Sequence, residues 1–215
     1  MEEQLWEACS DGKVEEVRKL IQNSQININW QNQNYTGWTP FFVACSNGHI
    51  EIVKLLLNDK RVDINQANNN GWTPFHIACL FGHTEIVKLL LNDNRVNINK
   101  ADNYGYTPFY TACGKGEIEI VKLLLNDNRV NINQASDSGL TPFSHACYDG
   151  KTELVKYLLE SGREIDINKK DNDGKTGLDY AEENGNTDIV KLIESFQKNP
   201  NETRAKLRRE FGNFQ

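Results

Sequence analysis

The 215-residue sequence predicts an all-α repeat solenoid, built of stacked helix pairs with a loop or β-hairpin finger projecting between successive pairs. Three observations carry that expectation. The phrase GWTPFFVACSNGHIEIVKLLLND at Gly37 returns as GWTPFHIACLFGHTEIVKLLLND at Gly71 and GYTPFYTACGKGEIEIVKLLLND at Gly105, with a fourth version, GLTPFSHACYDGKTELVKYLLES, at Gly139. Each copy holds two short apolar segments separated by a glycine. No copy is large enough to bury its own apolar face, so neighbours must cover one another.

Aligned on the finger glycines, the copies begin at Gly37, Gly71, Gly105, Gly139 and Gly174. Thr39, Thr73, Thr107 and Thr141 each precede a proline, the pattern of an N-cap followed by a first helical residue whose missing N–H costs nothing. Gly48, Gly82, Gly116 and Gly150 then stop the first helix and permit a left-handed turn. The second helix shows its apolar face at helical spacing, with Ile52, Val53, Leu55 and Leu56 in one copy and Ile86, Val87, Leu89 and Leu90 in the next. The stretch NDKRVDINQANNNG that follows is dense in turn formers and suits an extended loop or hairpin finger.

The ends depart from the pattern as caps should. EEQLWEACSDGKVEEVRKLI keeps Ala8, Cys9 and Gly12 but lacks Thr-Pro. GKTGLDYAEENGNTDIVKLIESF carries Gly177 where proline stood. The column Cys9, Cys45, Cys79, Cys113, Cys147 ends in Glu182, a charge that fits only if no further repeat covers it. Six repeats are expected over residues 1–197, divided as 1–36, 37–70, 71–104, 105–138, 139–173 and 174–197, followed by a basic tail over 198–215. Leu207 and Phe211 fall on one face of that tail, which suits a docking peptide, but such a tail is more often a frayed end or a helix folded over the cap, and the latter is preferred. Two irregularities break the register: the first finger, between Asn29 and Gly37, is two residues longer than the others, and one residue is inserted around Gly162–Ile165.

The segments TPFFVA, TPFHIA, TPFYTA and TPFSHA resemble the T-P-L-H-x-A pattern of ankyrin repeats, and GHIEIVKLLL and GHTEIVKLLL resemble that family's second helix. The resemblance runs in register to about Gln197. It departs at Phe41, Phe75, Phe109 and Phe143, which replace the usual leucine, and at the histidine column, where only His76 survives beside Phe42, Tyr110 and Ser144. It implies a non-catalytic scaffold or adaptor that binds another protein through its concave face and finger tips.

Composition narrows the alternatives. A net charge of −6 argues against nucleic acid, which rewards a clustered basic face. No apolar run approaches the ~18–20 residues that cross a membrane, and the N-terminus lacks a signal-peptide pattern. Five cysteines spaced by the repeat point to a reducing compartment, cytoplasm or nucleus, and the array is expected to be a monomer. Cys45-x3-His49 and Cys79-x3-His83 have ligand-like spacing, but a structural zinc needs four ligands and later copies offer Glu117 and Lys151 instead. No metal, cofactor or catalytic set is expected. There is no phosphate loop or Ser/His/Asp grouping, and every cysteine occupies the same column.

What varies between copies is where function is sought. The resemblance places partner contacts on the fingers and first helices, giving an aromatic stripe of Trp38, Trp72 and Tyr106 extended by Tyr35, Phe81, Tyr104 and Tyr148. His76, Leu80 and Tyr110 complete the candidate surface. On this reading Trp72→Ala abolishes partner capture with folding nearly intact. The competing reading has Trp38, Trp72 and Tyr106 packing along neighbouring fingers. A separate alternative is modification: Leu57 and the following Asp63-Ile64-Asn65 resemble the ankyrin sequence recognised by an asparaginyl hydroxylase, with Asn65 as target. Against it stands asparagine's ordinary preference for loops.

Overall fold

The computed structural model describes residues 1–212, and the chain divides into two units, Met1–Pro108 and Phe109–Gln215. The first unit holds three helix pairs: α1 (Glu2–Ser10) with α2 (Val14–Ile21), α3 (Pro40–Ser46) with α4 (Ile50–Leu57), and α5 (Pro74–Leu80) with α6 (Thr84–Leu91). α1 packs on α3 and α3 on α5, while α2, α4 and α6 form a second row behind them. The molecule is an all-helical repeat solenoid.

The local rules read from sequence operate as expected. The Thr39 hydroxyl accepts the Phe42 N–H at 3.1 Å and the Thr73 hydroxyl accepts the His76 N–H at 3.3 Å, each with proline at the first helical position. Gly48 and Gly82 close the first helices at φ +75° and +69°. Every residue of α3 is buried, and Phe41, Phe42 and Phe75 keep 1% exposure each. From α4 and α6, Ile52, Val53 and Leu56, then Ile86, Val87 and Leu90, reach the same core with no exposure. Each such side chain contributes roughly 1.5–3 kcal/mol by leaving water.

The fingers are turns rather than hairpins. No strand occurs among the described residues, and the base of each finger is closed by a backbone bond, Asn32 N–H to Trp38 O, Asn68 to Trp72 and Asp102 to Tyr106, at 2.9–3.0 Å, with a turn bond inside it from the Gly37, Gly71 or Gly105 N–H back to Asn32, Asn68 or Asp102 O. A longer ladder does not form because finger amides are spent sideways. Asn69 N–H donates to Thr36 O and Asn103 N–H to Asn70 O, so each finger bonds to its neighbour. The two extra residues of the first finger are taken up by a short 3-10 turn over Gln33–Tyr35, followed by Thr36 at φ +52°.

That sideways contact has a measurable consequence at glycine. Gly71 has φ +83°, and a Cβ there would lie 2.7 Å from the backbone nitrogen of Asn103 in the next finger. Gly174 has a nearly equal φ of +79° but nothing within 4 Å of such a Cβ. Gly174→Ala should therefore cost only the left-handed penalty, about 1–2 kcal/mol. Gly71→Ala should cost about 1–3 kcal/mol more, because backbone must move as well. Urea unfolding of the two variants checks the difference, and equal costs would mean that the fingers yield freely.

The second unit holds α7 (Pro108–Lys115) from its second residue on, α8 (Ile118–Leu125), α9 (Pro142–Tyr148), α10 (Thr152–Glu160), α11 (Gly177–Glu183) and α12 (Thr187–Lys198). At Gly177, a Cβ would sit 3.1 Å from the Phe143 ring, so the cap helix lies directly on that phenylalanine. Glu182 is exposed, in keeping with its place after the cysteine column. The tail forms α13 (Pro200–Gly212), folded against α10 and α12 with Leu207 buried and Phe211 stacked on Tyr157 at 3.9 Å. Lys156–Glu210 and Arg208–Glu160 flank this seam. The helix-over-the-cap reading of the tail therefore describes its fold.

Candidate partner-binding surface

The aromatic residues singled out from sequence separate into two kinds. Tyr35, Phe81, Tyr104 and Tyr148 are 52%, 53%, 63% and 49% exposed, and apart from Met1 they are all the large apolar side chains left exposed among the described residues. Their positions explain this. Tyr35 and Tyr104 stand on finger turns, while Phe81 and Tyr148 stand at the ends of first helices, where the chain turns away from the core.

Trp38, Trp72 and Tyr106 are only partly exposed, because each follows its finger glycine and folds back towards the helices. Trp38 lies 4.8 Å from the Phe42 ring, and its carbonyl accepts the Trp6 indole N–H at 3.0 Å. The Trp72 indole donates to Asp102 Oδ2 at 2.7 Å, while Asp102 Oδ1 accepts the Tyr104 and Tyr106 N–H groups at 2.9 Å each. Trp72 thus helps to hold the next finger in shape. Leu80 is half-buried.

His76 and Tyr110 leave the candidate surface altogether, with 0% and 3% exposure. His76 serves the fold instead. Its Nδ1 accepts the Thr73 N–H at 3.2 Å, which completes a capping box, and its Nε2–H donates to Tyr106 O at 2.9 Å. Burial pushes its pKa down to about 4, against the opposing pull of the Tyr106 carbonyl. The unfolded chain protonates this imidazole near pH 6.5 and the folded chain does not, so stability is full above that pH and falls towards pH 4. The expected loss is about 3 kcal/mol from this group. His76→Phe, which copies the residue at Phe42, should flatten that part of the pH dependence when unfolding free energy is followed from pH 7 to pH 4.

The remaining sequence candidates also have structural duties. The His49 Nε2 meets Ser10 O at 2.9 Å and the His83 Nε2 meets Ser46 O at 2.8 Å, with each ring over the glycine of the preceding pair. The five thiols are free and buried, and burial raises their pKa, that of Cys9 to about 12. The Asn65 amide donates to Arg95 O at 2.7 Å and accepts the Asn97 N–H at 2.8 Å, a clamp between successive pairs. Asn29 makes the same two bonds to Arg61 O and the Asp63 N–H, and Asn133 repeats them with Glu164 and Asp166. These bonds give Asn65 a structural duty that it shares with Asn29 and Asn133.

Sequence reasoning missed a row of arginines. Arg61 donates to Ile21 O at 2.6 Å and Asn23 O at 3.1 Å, capping the last carbonyls of α2, and Arg95 donates to Leu57 O of α4 at 2.9 Å. In the second unit Arg163 reaches Leu125 O, Asp127 O and Val130 O, and so occupies the stretch carrying the extra residue. A cation at a helix C-terminus is favoured by the helix dipole. The available signal was the recurring Asp-x-Arg at Asp59-Arg61, Asp93-Arg95 and Asp127-Arg129, in which the aspartate aims the guanidinium.

Comparison with known proteins gives one consistent result. A family model described as ankyrin repeats matches three times, over residues 3–68, 60–136 and 128–204. The solved structure titled as the crystal structure of EF0377, an ankyrin repeat protein, is 33% identical and aligns over 90% of this chain and 98% of its own, with a TM-score of 0.80. No curated protein matches the chain.

Proposed function

The chain belongs to the ankyrin-repeat family, whose members are generally non-catalytic protein-interaction modules, and from that premise we propose that it is an adaptor gripping one partner protein through its exposed aromatics. One observation carries the proposal: among the described residues, the large apolar side chains left to solvent, Met1 aside, are aromatics at variable positions of the fingers and first-helix ends. Exposed rings supply large contact area at low entropy cost, and surplus apolar surface confined to such positions marks a site. The reading is of a scaffold without chemistry of its own, working in the cytosol or nucleus, where five unpaired thiols persist.

The test is capture from source-cell extract by wild type and by Tyr35→Ala/Phe81→Ala/Tyr104→Ala. These three residues belong to one unit and each keeps about half or more of its surface open, so the variant should fold normally by circular dichroism. A partner protein should be retained by wild type and lost from the variant. Identical captures would refute the aromatic surface.

A further inference from the structure

The charge around those aromatics is one-sided. In the first unit, the segments forming the first helices and fingers are 1–12, 31–48, 67–82 and 101–108, and they contain no lysine or arginine. Their charged side chains are Glu2, Glu3, Glu7, Asp11 and Asp102. The cations of this unit sit on the second helices and the loops behind them, where they are answered locally by pairs such as Lys54–Glu51, Lys88–Glu85, Arg61–Asp59 and Arg95–Asp93. Of the face carboxylates, Glu2 is met by the Met1 ammonium, Asp11 is reached by Lys13 and Asp102 is held by Trp72, whereas Glu3 and Glu7 are exposed and make no ion pair among the described residues.

Glu3 and Glu7 share a hollow with Tyr35. Its walls include Trp6, Asp11 and Asn34, and the Trp6 and Tyr35 rings lie 4.6 Å apart. Trp6 is fixed by its bond to Trp38 O, so Tyr35 rests on a rigid backing with half its surface open.

We infer that this face takes a basic protein segment, an apolar anchor flanked by lysine or arginine, with one cationic side chain seated between Tyr35 and the carboxylates of Glu3 and Glu7. The inference rests on the aromatic-face reading above and adds the partner's chemistry. A cation over an aromatic ring gains from the ring quadrupole, and an adjacent carboxylate supplies a charge-assisted bond. A neutral segment would desolvate Glu3 and Glu7 without compensation, and an acidic one would meet like charge with no lysine or arginine in those segments to offset it, the Met1 ammonium already facing Glu2. Complementarity therefore selects the basic partner.

The probe is a random dodecapeptide display library panned against the immobilised full chain. The enriched pool should carry a net positive charge, with arginine or lysine beside aromatic or aliphatic residues. A synthetic member should bind the Glu3→Lys/Glu7→Lys variant at least about tenfold more weakly, and should weaken as salt rises from about 50 to about 200 mM. Glu51→Lys, on the second-helix row, should leave binding unchanged. If the pool shows no basic bias, or charge reversal has no effect, while Tyr35→Ala/Phe81→Ala/Tyr104→Ala still abolishes binding, the inference is overturned and the aromatic-face reading stands. If no pool emerges, or the pool ignores both sets of substitutions, both are overturned.

Discussion

Phe75→Ala should destabilise the protein by about 3–5 kcal/mol, the range for a buried aromatic truncated in a packed core. Phe75 is 1% exposed, and its counterparts Phe41, Phe109 and Phe143 are 1–2% exposed, so these phenylalanines sit between helix pairs as repeated core elements. The column departs from the family's usual leucine, and the larger ring fills space that its neighbours have shaped to it. Gly177, where an added Cβ would lie 3.1 Å from the Phe143 ring, shows how closely the cap helix approaches that ring. Leucine at Phe75 should cost less than alanine, since it restores most of the volume. Thermal unfolding of the alanine variant should fall by about 10 °C. A loss below about 1 kcal/mol would mean that the core closes over the cavity, contrary to the packing described.

The second large effect separates the two kinds of aromatic. Trp72→Ala should lower stability by about 3 kcal/mol, through lost packing and the lost bond to a nearly buried carboxylate. Asp102 is 8% exposed and uses Oδ1 for the Tyr104 and Tyr106 amides, so losing the indole leaves Oδ2 without its donor. Phe81→Ala should change stability by no more than about 0.5 kcal/mol, as at most exposed positions. Urea denaturation of both variants makes the comparison. A Trp72→Ala protein as stable as wild type would return Trp72 to the recognition surface that sequence reasoning assigned to it. As the geometry stands, a lost interaction in that variant would report a deformed finger.

Much of the fold was legible because local rules dominate it. Thr-Pro starts a helix, glycine ends it, and apolar residues at i, i+1 and i+4 face the core, whatever the rest of the chain does. The fingers were half legible: turn residues announced a turn, but bonding of Asn69 and Asn103 to neighbouring fingers in place of a hairpin ladder depends on contacts about 34 residues away. The same distance hid the clamps of Asn29, Asn65 and Asn133 and the caps of Arg61 and Arg95, although their recurrence in register was visible throughout. At the candidate site, the residues singled out from sequence differ in exposure, which sequence reasoning did not foresee. Trp38 and Trp72 follow their finger glycines and turn inward, whereas Tyr104, one residue before Gly105, and Tyr35, two residues before Gly37, stay outside, a distinction of two or three positions set by turn geometry. His76 and Tyr110 were drawn in by the helix start that buries them.

The central claim is that the fingers and first-helix ends of the first unit form the recognition face. Amide hydrogen exchange on the free chain and on its complex with a captured partner or selected peptide tests it most directly. The account predicts slowed exchange around Tyr35, Phe81 and Tyr104 and on α1 near Glu3 and Glu7, with α4 and α6 unchanged. Protection confined to α4, α6 or the α13 seam, with those residues exchanging as in the free protein, would contradict it.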